Sequence, residues 1–319
     1  MSDQGQAVGL DVGGTKILAV RAARDGRILA RAEVPTPADD QVATLAAMVD
    51  AARELMTTEV LAVGVGAAGM VDVVNGILRF APNLAWRDLA IAEHMRSALG
   101  VPCQLDNDAN VAVYGEFRFG AGRGYRHVLL VTVGTGIGGG IIIDGRLFRG
   151  ANGYAAEIGH VVVEPDGPPC GCGNRGCWEQ VASGSAIGRL GREAARERPT
   201  SRLVGLAGGD PEAVTGTVVT QAAREGDRVA LAILGVVGAR LGVGIAGLVN
   251  VLDPQVVVVG GGAIAAGDLL LEPARAAFHD AVEAPDRRPS VPIVAAQLGN
   301  DAGAVGAAAL ALEELGRLP

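Results

Sequence analysis

HVLLVTVGTGIGGGIIIDG, residues 127–145, reads as strand, glycine turn, strand and hairpin turn. His127 to Val133 is an apolar, β-branched run, and Gly134-Thr135-Gly136-Ile137-Gly138 breaks it. Gly139 to Ile143 is a second strand, closed by Asp144-Gly145. The same order of signals opens the chain. Ala7 to Asp11 is a strand, Gly13-Gly14-Thr15 a turn, Ile17 to Ala22 a strand, Asp25-Gly26 a turn, and Arg27 to Val34 a third strand. Two copies about 120 residues apart predict an α/β protein of two related lobes with a cleft between them. A glycine turn lets backbone N–H groups approach an anion with no Cβ in the way, and phosphate is the usual anion. Either turn alone could be an ordinary hairpin; the pairing favours phosphate. A Walker-type P-loop is excluded, because Thr15 precedes Lys16 and a β pattern follows.

Outward from these hairpins, Gln41 to Leu55, Ile91 to Leu99 and Ala109 to Phe119 have helical spacing, and Val60 to Gly66 and Val101 to Leu105 read as strands. The apolar strand Val256 to Val259 runs into Gly260-Gly261-Gly262, a weak match to a dinucleotide fingerprint because Ala265 stands at its third glycine. It suits equally a turn beside a nucleotide's adenosine. Residues 192–209 read as a charged, glycine-rich surface excursion, and Asp301 to Leu315 as a final helix. The expected division is a small N-terminal lobe, 1–108, completed by the C-terminal segment 301–319, and a larger lobe, 109–300.

Composition narrows the function. In 319 residues, 49% hydrophobic content with 3% aromatics and 48 glycines fits a tightly packed α/β enzyme and not a disordered or fibrous chain. A net charge of −8 argues against nucleic acid or an anionic membrane as partner. The start, MSDQGQAV, has neither a basic n-region nor an apolar h-region, so no signal peptide is expected. Val229 to Leu252 is long and apolar but carries Arg240 and several glycines, which predicts a buried helix and not a membrane span. A cytoplasmic setting follows. Lys16 is the sole lysine of the chain.

EIGHVVVEPDGPPCGCGNRGCWE, residues 157–179, carries three of the four cysteines, Cys170, Cys172 and Cys177, with His160 just upstream across a strand-like VVV. One imidazole and three thiols make the ligand set of a tetrahedral structural zinc site. A disulfide would leave one cysteine over, and Cys-x-Cys is too close to bridge comfortably. Glu157, Asn174 and Glu179 are interleaved with the ligands, so the metal would hold a polar surface in place.

Asp108 is the candidate for chemistry. It stands at a strand-to-helix junction, in Asp106-Asn107-Asp108, where the sites of α/β proteins collect. Position alone leaves two readings open: a helix cap, or the base that a hydroxyl-to-phosphate transfer requires. Asp106 is the next candidate.

DVGGTK from Asp11, VTVGTGIGGGIIIDGRLFRGANGYAAEIGH from Val131 to His160, and CGCGNRGCWE from Cys170 to Glu179 resemble the ROK family of repressors, open reading frames and sugar kinases. LDNDAN from Leu105 and LDPQVVVVGGG from Leu252 match in order, so the resemblance spans nearly the whole chain. With APNLAW from Ala81, the sequence looks most like the family's ATP-dependent glucokinases of high-GC Gram-positive bacteria. The resemblance implies an actin-like, hexokinase-like pair of ribonuclease-H-type lobes. It implies Asp11, Gly13, Gly14, Thr15 and Lys16 as the first phosphate motif, Gly134, Thr135 and Gly136 as the second, and Gly260, Gly261 and Gly262 at the adenosine. Asn83, Asn107, Asp108, Glu157, His160 and Glu179 would line the sugar, with Asp108 as base and His160 shared with zinc. The implied cofactors are ATP, Mg²⁺ and structural Zn²⁺; the implied partner is glucose, or else fructose, mannose or an N-acetylhexosamine, in a homo-oligomer, dimer or tetramer. A non-catalytic sugar-binding protein is the other class. A repressor is not expected, with ten residues before Asp11. The family often has a proline where this chain has Ala68 in GAAGMVD, so that loop's sugar contacts do not carry over.

Overall fold

The structure is a computed structural model that describes residues 5–81 and 86–316. Asn83 lies outside the described residues. Strands β1 (Gln6–Val12), β2 (Lys16–Ala23) and β3 (Ile28–Pro35) form an antiparallel meander, with Val12 facing Ile17 across the first glycine turn. Helix α1 (Gln41–Leu55) follows, capped by Asp40, whose carboxylate accepts from the N–H groups of Val42 and Ala43. Next come β4 (Val60–Ala67), a three-stranded ribbon of β5 (Met70–Asp72), β6 (Ile77–Phe80) and β7 (Arg87–Leu89), then α2 (Ile91–Leu99), β8 (Cys103–Asn107) and α3 (Asp108–Phe119). A second cycle starts with β9 (Val128–Val133), β10 (Ile137–Ile143) and β11 (Arg146–Leu147). It continues through α4 (Trp178–Ala182), α5 (Gly184–Glu197), α6 (Arg202–Leu206), α7 (Gly216–Arg224) and α8 (Arg228–Leu252). It ends with β12 (Val256–Gly260), α9 (Asp268–Ala281), β13 (Ile293–Ala295) and α10 (Ala302–Leu315).

The duplication read from the glycines is present in the sheets. Their strand orders, β3-β2-β1-β4-β8 and β11-β10-β9-β12-β13, are the same permutation. In the first sheet β4 runs parallel to both β1 and β8, so the carboxyl ends of β1, β4 and β8 lie at one edge. That edge carries Asp11, the 67–69 loop and Asp106–Asp108.

The chain divides into two compact units, Met1–Leu130 with Gly140–Ala156 and Ala296–Pro319, and Val131–Gly139 with Glu157–Ala295. In the first unit, Leu10, Met48, Val63, Trp86 and Met95 are fully buried around one core. Helix α10 packs on the same sheet at very short range. A Cβ on Gly9 or Gly64 would lie 1.9 Å from the carbonyl of Ala304 or Ala307, so these strand positions need glycine. In the second unit α8 is the centre. Among the described residues it is the one helix long and apolar enough to cross a membrane by length and composition, with half of its most apolar window buried. Its glycines settle its place in the unit: a Cβ on Gly238 or Gly242 would meet the carbonyl of Leu270 or Ala274 on α9 at 2.5 or 2.0 Å. It is a buried core helix, as its sequence predicts.

Two expectations are corrected. Residues 192–209 are not a loop excursion: α5 runs to Glu197 and α6 occupies Arg202–Leu206. The helix was hidden because its buried face is made of small residues, Gly188, Gly191 and Ala195 with Ile187, while arginines crowd the other face. The run Val161–Val163 is not a strand. Val162 makes one isolated bridge to Cys177, and all three valines are exposed.

Candidate active site

The first unit brings together Asp11, Asn107 and Asp108. Gly13 N–H donates to the Lys16 carbonyl at 3.0 Å and closes the first glycine turn. Burial, and then the negative charge of Asp108, push the Asp11 carboxyl up to about 7 against the opposing charge of Lys16. Gly303 of α10 has no room for a Cβ because the Asp11 carboxylate lies 2.7 Å from where it would be. Burial also holds the Asp108 carboxyl above its ordinary range, although the Ala109 N–H donates to it. The N-cap of α3 is Asn107: its Oδ1 accepts from Ala109 and Asn110 N–H at 2.9 and 3.2 Å, and its Nδ2 donates to the Gly69 carbonyl. Capping therefore does not require Asp108. Asp106 is fully committed elsewhere, accepting from Arg149 Nε at 2.7 Å and from Asn110 Nδ2 at 2.9 Å. Both of its oxygens are engaged, and Arg149 is a residue the sequence reading missed. Lys16 Nζ donates to Glu33 Oε2 at 2.8 Å, with both side chains about half exposed. An exposed pair of this kind is worth about 0–1 kcal/mol, so phosphate could displace Glu33 at little cost.

The second unit brings the other two glycine clusters to one cavity of about 600 Å³, lined by Gly134, Thr135, Ser185, Thr217, Arg224 and Gly262 among others. Gly134 N–H donates to the Gly136 carbonyl and closes the second turn, while Gly184 N–H donates to the Gly134 carbonyl at 2.8 Å. Gly261 has φ +83°, and its Cβ would lie 2.6 Å from the Val133 carbonyl, so β12 turns beside the end of β9 only with glycine there. Helices α5 and α7 point their N-termini into the same cavity through Gly184-Ser185 and Gly216-Thr217. Their positive dipole ends suit an anion. The caps, Ser183 accepting from Ala186 and Thr215 accepting from Val218, were the available sequence signal for both helices. Arg224 reaches across to donate to the Ala265 carbonyl, tying α7 to the turn after Gly262.

The predicted metal ligands also converge in the second unit. His160, Cys170, Cys172 and Cys177 each place one ligand atom within 4.8 Å of the others. Cys172 and Cys177 sulfurs are 3.6 Å apart, and His160 Nδ1 is 3.6 Å from Cys170 Sγ. A zinc tetrahedron with Zn–S bonds of about 2.3 Å puts its sulfurs about 3.8 Å apart, so the donor set fits zinc in kind and spacing. His160 presents Nδ1 to the thiols, which leaves Nε2 for another partner. Burial pushes the Cys170 thiol up to about 12 and raises Cys177, whereas the hydrogen bond from the Asn174 backbone lowers Cys172. A dication would draw the protons off all three. Glu179 joins this cluster to the second glycine turn. Its Oε1 accepts from Cys170 Sγ at 3.1 Å, and its Oε2 occupies the place where a Gly136 Cβ would lie. Glu157 is exposed and precedes the 3-10 turn Ile158–His160.

Comparison with known proteins identifies the family. The ROK family matches residues 7–314. A glucokinase of Streptomyces coelicolor is 44% identical over 97% of this chain and 98% of its own length. A glucokinase of Thermotoga maritima is 39% identical over 97% and 98%. The crystal structure of a ROK family glucokinase from Streptomyces griseus in complex with glucose and AMPPNP is 43% identical and superposes with a TM-score of 0.89, covering 97% of this chain and all of that one. Matched from the first glycine hairpin to the last helix, and with the paired sheets of an actin-like, hexokinase-like fold, the chain belongs to the ROK family.

Proposed function

We propose that the protein is an ATP-dependent glucokinase, which transfers the γ-phosphoryl group of ATP to the 6-hydroxyl of glucose. One observation carries the reading: Asp108 is a partly buried carboxylate at the start of α3 whose two structural alternatives are filled by its neighbours, the cap by Asn107 and the ion pair by Asp106. The likeness to glucokinases over nearly the full length, including one seen with glucose and AMPPNP, supports substrate and donor.

Asp108 takes the proton of the 6-hydroxyl. The freed oxygen bonds to the γ-phosphorus as the bond to the β–γ bridging oxygen breaks, which leaves ADP and glucose 6-phosphate. In the first unit, the turn Gly13-Gly14-Thr15 offers N–H groups to phosphate, Lys16 a cation released from Glu33, and Asn107, whose side chain also hydrogen-bonds Asp108, is assigned to the sugar. In the second unit, Gly134-Thr135-Gly136 and the starts of α5 and α7 offer N–H groups to the nucleotide phosphates. Gly260-Gly261-Gly262 borders the adenosine. Glu157, Glu179 and His160 Nε2 are assigned to sugar hydroxyls, as is Asn83. Two mutually repelling, partly buried carboxylates, Asp11 and Asp108, suit a nearby dication. Mg²⁺ would be held at Asp11 through water and would neutralise charge on the β- and γ-phosphates. Zinc on His160, Cys170, Cys172 and Cys177 would be structural, with all four positions filled by protein. A cytoplasmic setting, where thiols stay reduced, and a homo-oligomer, dimer or tetramer, belong to the same proposal.

The test is ADP formation by the pure protein with ATP and Mg²⁺ across glucose, fructose, mannose and N-acetylhexosamines. Glucose should give the highest kcat/KM. No turnover above the sugar-free background with any hexose would refute the kinase; a higher value for another hexose would refute only the substrate.

A further inference from the structure

We propose that Arg149 is a positioning residue for the transfer step, holding the Asp106–Asp108 turn through its buried ion pair with Asp106. The inference rests on the glucokinase reading and adds to it a residue outside the substrate contacts proposed above. Asp106 is fully buried at the end of β8, and its carboxylate accepts from Arg149 Nε at 2.7 Å, Asn107 N–H at 2.8 Å and Asn110 Nδ2 at 2.9 Å. The next residue, Asn107, is tied to the 67–69 loop through the Gly69 carbonyl. Asp108 is thus carried on a turn whose two preceding residues are both fixed from outside their own helix and strand.

Arg149 itself belongs to the segment after β11, and that segment is anchored in turn. The Phe148 N–H donates to the Ile141 carbonyl, the Ala155 N–H donates to the Arg149 carbonyl, and Gly153 passes so close to β5 that its Cβ would lie 3.0 Å from the Val71 carbonyl. The guanidinium therefore joins the 148–155 segment to the end of β8, next to the loop that holds Asn107. Stability alone is a poor reason for such a pair, because apolar residues of similar volume serve as well or better in a core. A purely structural guanidinium would also use its buried donors, whereas Arg149 Nη2 is buried with no partner among the described residues. Geometry is the better reason: a displacement of about 1 Å at a reacting group can cost on the order of 10²-fold in rate. Arg149 reaches Asp106 through Nε alone, a donor set rigidly in the guanidinium plane, which a freely rotating lysine ammonium does not reproduce.

The experiment compares wild type, Arg149→Lys and the double variant Asp106→Asn/Arg149→Met by thermal melting and by steady-state kinetics with glucose and ATP. The double variant removes both charges, so its melting temperature should return to within a few degrees of wild type. Its kcat should stay at least roughly tenfold down, on the displacement argument, with KM for ATP little changed. Arg149→Lys, which keeps the charge and loses the planar Nε donor, should melt near wild type and show the same selective loss of kcat. A structural role would restore kcat together with the melting temperature. Wild-type kcat in either folded variant overturns the proposal, and so does failure of both variants to fold. Absence of turnover in the wild type would instead overturn the glucokinase reading on which the proposal rests.

Discussion

Asp108 and Asp11 give the sharpest tests at the scale of single residues. Asp108→Asn removes the proton acceptor and leaves the helix cap intact, because Asn107 provides it. It should lower kcat by about 10² to 10⁴, the range of general-base catalysis, with ATP affinity and melting temperature close to wild type; steady-state kinetics and a melt on the same sample check both. Burial holds the Asp108 carboxyl above its ordinary range, so activity should fall on acidification at a higher pH than for an exposed carboxylate. The acidic limb of the wild-type kcat profile should be missing from the residual activity of the Asn variant. Asp11 makes a prediction about stability. Its carboxyl is raised from 3.8 to about 7, so the folded protein holds that proton more tightly than the unfolded chain. The ligand-free protein therefore loses stability as pH rises from about 4 to about 7, by a ceiling of roughly 4 kcal/mol at about 1.4 kcal/mol per unit. Asp11→Asn should raise the melting temperature at pH 8 without nucleotide while abolishing most activity. An unchanged or lower melting temperature would contradict the strain assigned to this carboxylate.

At the scale of elements, contacts without side chains hold the candidate base in place. Helix α3, which begins at Asp108, crosses α10 where a Gly306 Cβ would lie 1.8 Å from the Val111 carbonyl and a Gly115 Cβ 2.5 Å from the Ala302 carbonyl. Gly306→Ala must push the helices apart, and should cost roughly 1–3 kcal/mol as an overpacked core does, visible as a melting temperature several degrees lower. The zinc cluster is the second element-scale test. Metal analysis of protein purified without added zinc should give near one zinc per chain, and Cys172→Ser should lose the metal and melt lower; a fully active zinc-free wild type would contradict the site. Elements of this kind were legible to different degrees. The hairpins at Gly13 and Gly134 could be read because strand period and turn glycines are both local signals. Helices α5 and α7 could not: α5 buries a face of small residues, Gly188, Gly191 and Ala195, and α7 a short one of Val219, Thr220, Ala222 and Ala223. For the same reason the cavity wall they form was missing from the sequence reading, while its glycine floor was present. Arg149 was missed because its partner, Asp106, lies 43 residues away, and no spacing rule connects a strand end to a loop beyond the following hairpin.

For the whole molecule, the repeated strand order β3-β2-β1-β4-β8 and β11-β10-β9-β12-β13 means that one local grammar, used twice, sets two glycine turns at equivalent sheet positions. That duplication was legible from glycines alone. The identity of the substrate was not, because the residues proposed for sugar recognition, such as Asn107, Glu157 and His160, carry hydrogen-bonding groups that suit hydroxyls common to several hexoses. The proposed chemistry adds a positional demand that the fold does not: a proton must leave the 6-hydroxyl toward a base, assigned above to Asp108, as phosphorus arrives. The most direct measurement is therefore the product itself. The pure protein should be incubated with glucose, ATP and Mg²⁺, ADP counted, and the sugar phosphate examined by correlated phosphorus and proton magnetic resonance. One ADP should form for each sugar phosphate, with phosphorus coupled to the two protons on carbon 6. ADP without sugar phosphate, or phosphorus coupled to the anomeric proton, would contradict the account.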